Sequence, residues 1–200
     1  MKKNGKSIAA ILGLALSAAL PLAAHAQAAT PGIYVGTSLG QSEVNNYTTC
    51  DARPDCKKKG TGWKLYSGWQ FHRNFAAEFG YTDLGRVSSS VPGTLDEAIK
   101  VKLGELTLVG SLPATERFSL FAKGGVYYAN TVDDVTLNGS TSHLTQTNAS
   151  VTYGLGVQYF VYGGLGVRGE LQRYLKVGGG NIGSKFDYQL ITAGVVWKFR

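Results

Sequence analysis

Residues 62–84 read GWKLYSGWQFHRNFAAEFGYTDL and decide the fold. One parity from Trp63 carries Trp63, Leu65, Ser67, Trp69 and Phe71; the other carries Lys64, Tyr66, Gly68 and Gln70. A period of two with one apolar face is a strand. His72, Arg73 and Asn74 then turn the chain, and Phe75, Ala77, Phe79, Tyr81 alternate with Ala76, Glu78, Gly80, Thr82. The pair is a β-hairpin. Large aromatics occupy one face, and the opposite face holds glycines, an amide and two charges. A soluble sandwich places its bulk inside, so this distribution suits a narrow barrel in lipid, with aromatics outward and small or polar residues lining the interior.

Working outward, the same alternation predicts eight strands. The first spans residues 32–44, the second and third form the hairpin, and the fourth and fifth span about 99–112 and 118–131. The sixth and seventh meet at 160–164, and the eighth spans about 188–199. Residues 150–167 carry no charge until Arg168, but Val151, Tyr153, Leu155, Val157 and Tyr159 alternate with Thr152, Gly154, Gly156 and Gln158, so a helix is excluded. The connections at 72–74, 113–117 and 160–164 are short. Those at 44–61, 85–98, 132–148 and 176–185 are long and polar, and the two kinds alternate along the chain. Successive strands run in opposite directions, so all long connections fall at one end. The expected fold is all-β, an eight-stranded antiparallel up-and-down transmembrane β-barrel with short periplasmic turns and long extracellular loops.

Residues 1–28 stand apart from this pattern. Lys2, Lys3 and Lys6 precede an apolar run at 8–22, and Ala24-His25-Ala26 or Ala26-Gln27-Ala28 offers a small-residue cleavage site. This is the form of a secretory signal peptide cut after 26 or 28, leaving 29–200 as the barrel. The chain has 20 Lys and Arg against 13 Asp and Glu, and three of those lysines belong to the leader, so the mature excess is mild. Scattered cations of this kind do not suggest nucleic acid. Cys50 and Cys56 are the only cysteines, and in an exported chain so close a pair reads as a loop disulfide. Two cysteines without a neighbouring histidine do not complete a tetrahedral metal site, and no metal or cofactor is expected.

Charge marks two further places. On the fourth strand the outward parity reads Lys100, Lys102, Gly104, Leu106, Leu108, Gly110, Leu112. A lysine facing hydrocarbon at mid-depth costs roughly 2–4 kcal/mol, so the lysine end is expected to stand above the bilayer, within reach of lipopolysaccharide phosphates together with residues 57–59. Inside, Glu78, Glu105, Lys123, Arg168 and Glu170 share the inward parity at comparable heights. An eight-stranded barrel has room only for side chains, and unpaired buried charges cost several kcal/mol, so these five are expected to pair. Glu105 and Lys123 lie diagonally on adjacent strands, Arg168 and Glu170 are two apart on one strand, and Glu78 must cross the lumen to Arg168.

The last strand ends Gly194-Val195-Val196-Trp197-Lys198-Phe199 before Arg200. Here the chain resembles the OmpA-like family of eight-stranded outer-membrane barrels. Further resemblance lies in the C-x5-C segment followed by 62–71, in Glu78, in 80–85, and in Ser111-Leu112-Pro113 leading into 117–125. The resemblance implies that Gly194, Trp197 and Phe199 form the signal read by the barrel-assembly machinery, with delivery by periplasmic chaperones to the outer membrane of a Gram-negative bacterium. One departure is Arg200, because the family usually ends on the aromatic itself. Larger members carry a peptidoglycan-gripping domain, so the stand-alone barrel is implied here.

Four functions compete. The leading one is a structural barrel, set in outer-membrane lipid and lipopolysaccharide, whose four loops serve surface binding or adhesion. The alternative is a narrow pore for ions or small solutes, gated by the interior charges. A lipid A hydrolase would need a histidine, a nucleophile and a carboxylate at the outer rim. His72 falls in a periplasmic turn and His143 in a serine-rich loop, so no enzyme is expected. A soluble carrier keeps its apolar face inside, the reverse of this pattern. A closed barrel has no edge to pair, so a monomer is expected.

Overall fold

The computed structural model describes residues 31–45, 56–91, 95–137, 140–178 and 185–199. Eight long strands build one sheet: β1 Gly32–Asn45, β2 Lys59–His72, β3 Phe75–Val91, β4 Leu95–Pro113, β5 Phe118–Leu137, β6 Ser140–Tyr162, β7 Leu165–Gly178 and β8 Lys185–Lys198. Each pairs antiparallel with its neighbours in sequence. The sheet closes where β1 meets β8, from Tyr34 opposite Lys198 to Asn45 opposite Asp187. A two-residue strand, Cys56–Lys57, adds to β3 at Ser88 and Ser89. The result is a closed up-and-down barrel.

Period-two burial runs along every strand whose side chains are described, and its direction is inverted relative to a soluble protein. Trp69, Phe79, Leu108 and Leu155 face out and are about as exposed as their size allows, at 60–65%. Trp63, Tyr81 and Tyr128 lie toward the loop end of this outer face, and Trp69, Phe71, Phe75, Trp197 and Phe199 toward the turn end. Between them stand Leu106, Leu108, Val126, Leu155, Val167 and Ile191. Aromatic residues flanking an aliphatic band are what a bilayer with two polar interfaces selects. Leu112 is the last outward apolar residue of β4 before its short turn. A tilted strand crosses the hydrocarbon in about ten residues, which from Leu112 reaches Lys102.

That depth assignment makes opposite demands on two residues of one strand. Leu108→Arg, near mid-depth, is expected to destabilise the folded barrel by about 2–4 kcal/mol. Lys100→Leu, above the band, is expected to change stability by less than about 0.5 kcal/mol. Urea unfolding of the protein in lipid vesicles measures both.

Two sequence expectations are corrected. The connections at 85–98 and 132–148 are largely paired strand: β3 and β4 continue to Val91 opposite Leu95, and β5 and β6 to Leu137 opposite Ser140. The fourth strand therefore begins at Leu95 and the fifth ends at Leu137, not at 99 and 131. Polarity was a poor guide because a hairpin beyond the bilayer is wetted on both faces. It needs only its backbone ladder and β-branched residues such as Thr136, Thr141, Thr145 and Thr147. The second correction concerns the interior, which is not merely small and polar but contains two apolar clusters.

Candidate functional site: the charged layer in the lumen

The lumen is filled in three layers. Toward the loop end, Leu84, Val101, Leu103, Tyr127, Tyr174 and Leu190 are buried together. Toward the turn end, Tyr34, Tyr66, Val109, Phe121 and Val196 are buried, with Phe160 packed against them. Between these clusters lie Lys64, Glu78, Glu105, Lys123, Arg168 and Glu170, each with a side chain no more than 4% exposed.

Register sets five of these six residues directly opposite glycines. Glu78 lies directly across from Gly68, Glu105 from Gly80, Lys123 from Gly154, Arg168 from Gly194 and Glu170 from Gly156. Each of the five residues has a glycine beside it on a neighbouring strand, and at Gly80 a Cβ would press on Glu105 Cγ and Oε1 at 3.0 Å. The glycines of the inward parity are therefore not filler. Other inward glycines make room for aromatic rings, with or without a charge opposite: a Cβ on Gly36 would overlap the Tyr66 ring, one on Gly68 the Tyr34 ring and one on Gly156 the Phe121 ring.

The five expected residues come together, and the pairing is more extensive than pairwise. Arg168 forms a fork, with Nη1 2.8 Å from Glu78 Oε2 and Nη2 2.8 Å from Glu170 Oε2. Its guanidinium also lies 4.1 Å from the centre of the Phe121 ring and 4.6 Å from that of Tyr66, where the π faces favour a cation. Lys123 Nζ reaches all three carboxylates, 2.6 Å from Glu170, 3.3 Å from Glu105 and 3.4 Å from Glu78.

Lys64 completes the layer, and it is the residue that sequence reasoning left out of the network. Its Nζ donates to Glu105, to Glu170 Oε1 at 3.1 Å and to Gln172 Oε1 at 2.7 Å. A signal for it existed. Glu78, Glu105 and Glu170 outnumber Lys123 and Arg168 by one, and Lys64 is an inward-facing cation on the hairpin itself. Neutral donors finish the set: Tyr174 donates its hydroxyl to Glu105 Oε2 at 2.7 Å, Gln172 Nε2 donates to the same oxygen at 2.8 Å, and Tyr34 donates to Glu78 Oε2 at 3.1 Å. Three anions and three cations thus cancel. Each carboxylate is held by at least three donors, the arrangement in which buried ions are tolerated.

Chemically the layer is occupied by its own partners. No carboxylate is left open to a ligand, and among the described residues no group of His, Cys, Asp and Glu is placed to hold a metal ion. His72 stands exposed in the turn between β2 and β3, where its Nδ1 accepts the Asn74 backbone N–H at 3.3 Å. The backbone of His143 pairs with Asp134 high on the β5–β6 hairpin. On β8, Trp197 and Phe199 face outward and Gly194 inward, and the Phe199 N–H donates to the Ile33 carbonyl at 2.9 Å across the closing seam. The expected signal peptide at 1–28, Cys50, the Cys56 and His143 side chains, and Arg200 lie outside the described residues.

A closed eight-stranded barrel with this filling invites comparison with known ones. The family model described as the OmpA-like transmembrane domain matches residues 27–200. The chain belongs to that family. Solved OmpA-like and other small barrels share the fold. Ail, the attachment invasion locus protein of Yersinia pestis, solved in complex with the heparin analogue sucrose octasulfate, aligns with a TM-score of 0.60 at 14% identity, over 84% of this chain and 99% of its own. Neisserial surface protein A aligns with a TM-score of 0.61 at 17% identity, over 84% and 97%. The outer membrane protein OprG from Pseudomonas aeruginosa aligns with a TM-score of 0.57 at 16% identity, over 84% and 96%. No curated protein sequence matches the chain. As an OmpA-like barrel the protein resides in the Gram-negative outer membrane, surrounded by its lipid and lipopolysaccharide.

Proposed function

We propose that this OmpA-like barrel is a closed scaffold that acts through its loop end, as a surface-binding or adhesive protein, and is neither an enzyme nor an open pore. The observation that carries this reading is the pair of apolar clusters above and below the charged layer. An ion moving along the axis would have to shed its hydration twice against tyrosines and aliphatic side chains, in addition to displacing six mutually paired charges. Above the bilayer, by contrast, the β3–β4 and β5–β6 hairpins carry paired backbone well beyond the outward apolar band. That is the surface an external partner meets. Ail, the attachment invasion locus protein, gives the adhesive reading its precedent in the same fold.

The rest of the reading concerns export and assembly. The leader at 1–28 is removed after 26 or 28, and periplasmic chaperones carry 29–200 to the barrel-assembly machinery. That machinery reads Gly194, Trp197 and Phe199. Cys50 and Cys56 form a disulfide in the first loop, and the barrel works as a monomer. The competing gate would work by re-pairing Glu78, Glu105, Lys123, Arg168 and Glu170.

Planar-bilayer recording of the refolded mature protein, beside Glu78→Ala and Arg168→Ala, decides between them. A silent membrane for all three proteins is expected. Discrete openings that the substitutions alter would overturn the scaffold and make the layer a gate. An unchanged lipid A profile in cells carrying His143→Ala is expected on the same reading, and loss of a deacylated product would revive the enzyme.

A further inference from the structure

The outer wall carries a feature that neither the lumen nor the loops explain. A groove of about 570 Å³ opens between β3, β4 and β5 on the lipid-facing side. Its middle is one register row, Tyr81 on β3, Gly104 on β4 and Tyr128 on β5. Nothing lies within 4 Å of the point where a Gly104 Cβ would stand. This outward glycine, unlike the inward ones, makes room for no neighbour in its own chain. It leaves a slot floored by backbone and walled by two aromatic rings.

Toward the loop end the slot is crowned by charge. Lys102 and Lys100 line its upper rim, with Asn130 and Val132 beside them. The register partner of Lys102 on β3 is Asp83, whose Oδ1 accepts the Gly85 N–H at 2.8 Å and is thus engaged with its own backbone. Lys100 lies across from Arg86 on one side and Val132 on the other. The two lysines share one face of β4, about 7 Å apart along the strand.

Depth and charge together select an occupant. Ten residues from Leu112 reach Lys102, so the slot begins just under the headgroups of the outer leaflet and the lysines stand at the level of lipid phosphates. We propose that this groove is a docking site for the lipid A portion of lipopolysaccharide: one acyl chain lies over Gly104 between Tyr81 and Tyr128, and a glucosamine phosphate is held by Lys102 and Lys100. A bisphosphorylated, multiply acylated glycolipid supplies both the anionic charge and the chain, and the groove offers a cationic rim over a slot with aromatic walls. The site belongs to the wall, so its fate is independent of whether the lumen conducts.

The test uses the refolded full mature chain in detergent micelles, with bound lipid counted by native mass spectrometry during titration with bisphosphoryl hexa-acyl lipid A. Gly104→Leu fills the slot, and nothing within 4 Å opposes its Cβ. Lys100→Gln with Lys102→Gln removes the rim charge. Heat-modifiable gel mobility reports that each variant is folded. Each is expected to weaken lipid A binding by about tenfold, the lysine variant through a lost charge-assisted contact and Gly104→Leu through lost burial of the acyl chain. Monophosphoryl lipid A is expected to narrow the gap between wild type and the lysine variant. Unchanged affinity in either variant overturns the proposal. So does phosphatidylglycerol binding with equal affinity and equal sensitivity to both variants, which would make the wall a general anionic-lipid surface.

Discussion

Arg168→Ala is expected to cost the folded barrel about 3–5 kcal/mol, the usual penalty for removing one partner from a buried ion pair. The size follows from what is left behind. Arg168 bridges Glu78 and Glu170 at 2.8 Å to each, and its guanidinium also covers the Phe121 and Tyr66 rings. Without it three carboxylates are balanced by two cations, Lys64 and Lys123, and Lys123 is 3.4 Å from Glu78. Water cannot readily compensate, because the apolar clusters close the lumen on both sides. Adding Glu78→Gln to Arg168→Ala restores neutrality and is expected to recover part of the loss, so that the double variant is more stable than the sum of the singles implies. Urea unfolding in vesicles, read by tryptophan fluorescence, measures the cycle. A loss under about 1 kcal/mol for Arg168→Ala would mean a hydrated layer, and would remove the main support for the closed scaffold.

The second large effect concerns Gly194, where two roles can be separated. Gly194→Val is expected to abolish folding even when the purified chain is refolded into detergent or lipid with no assembly machinery present. A Cβ there would collide with the Thr37 carbonyl oxygen and approach Ser38 Cα, both backbone, and neither can withdraw without opening the β1–β8 seam that closes the barrel. Trp197→Ala and Phe199→Ala remove outward side chains with no such collision. Those two variants are expected to refold in vitro with near-normal yield while accumulating poorly in the outer membrane of cells. Heat-modifiable mobility of refolded and cell-derived protein reports both. If Gly194→Val refolds as well as wild type, glycine at that position serves recognition alone.

Much of this was legible in the chain because a barrel in lipid announces itself through local alternation. Each strand needs only its own residues to show which face meets hydrocarbon, so Trp69, Phe79, Leu108 and Trp197 could be assigned outward from parity alone, and the inward parity of Glu78, Glu105, Lys123, Arg168 and Glu170 came with it. The ends of the strands were less legible. Where the chain leaves the bilayer, both faces are wetted, the alternation loses its physical cause, and the paired segments 85–98 and 132–148 look like loops.

By itself, then, the sequence determined the class of fold, the number of strands, which face of each meets lipid and which charges must be buried, since those follow from transfer free energies of individual side chains. Only the tertiary structure decided which groups meet, because contacts across a lumen depend on register and closure, to which parity is blind. Register sets every one of the five expected charges beside a glycine, places Lys64 of β2 within reach of Glu105 and Glu170, and brings Tyr34, Gln172 and Tyr174 in as donors. Closure stacks residues from distant strands into the apolar layers that seal the barrel, and on the outer wall register aligns Tyr81, Gly104 and Tyr128 into a slot that no single strand contains.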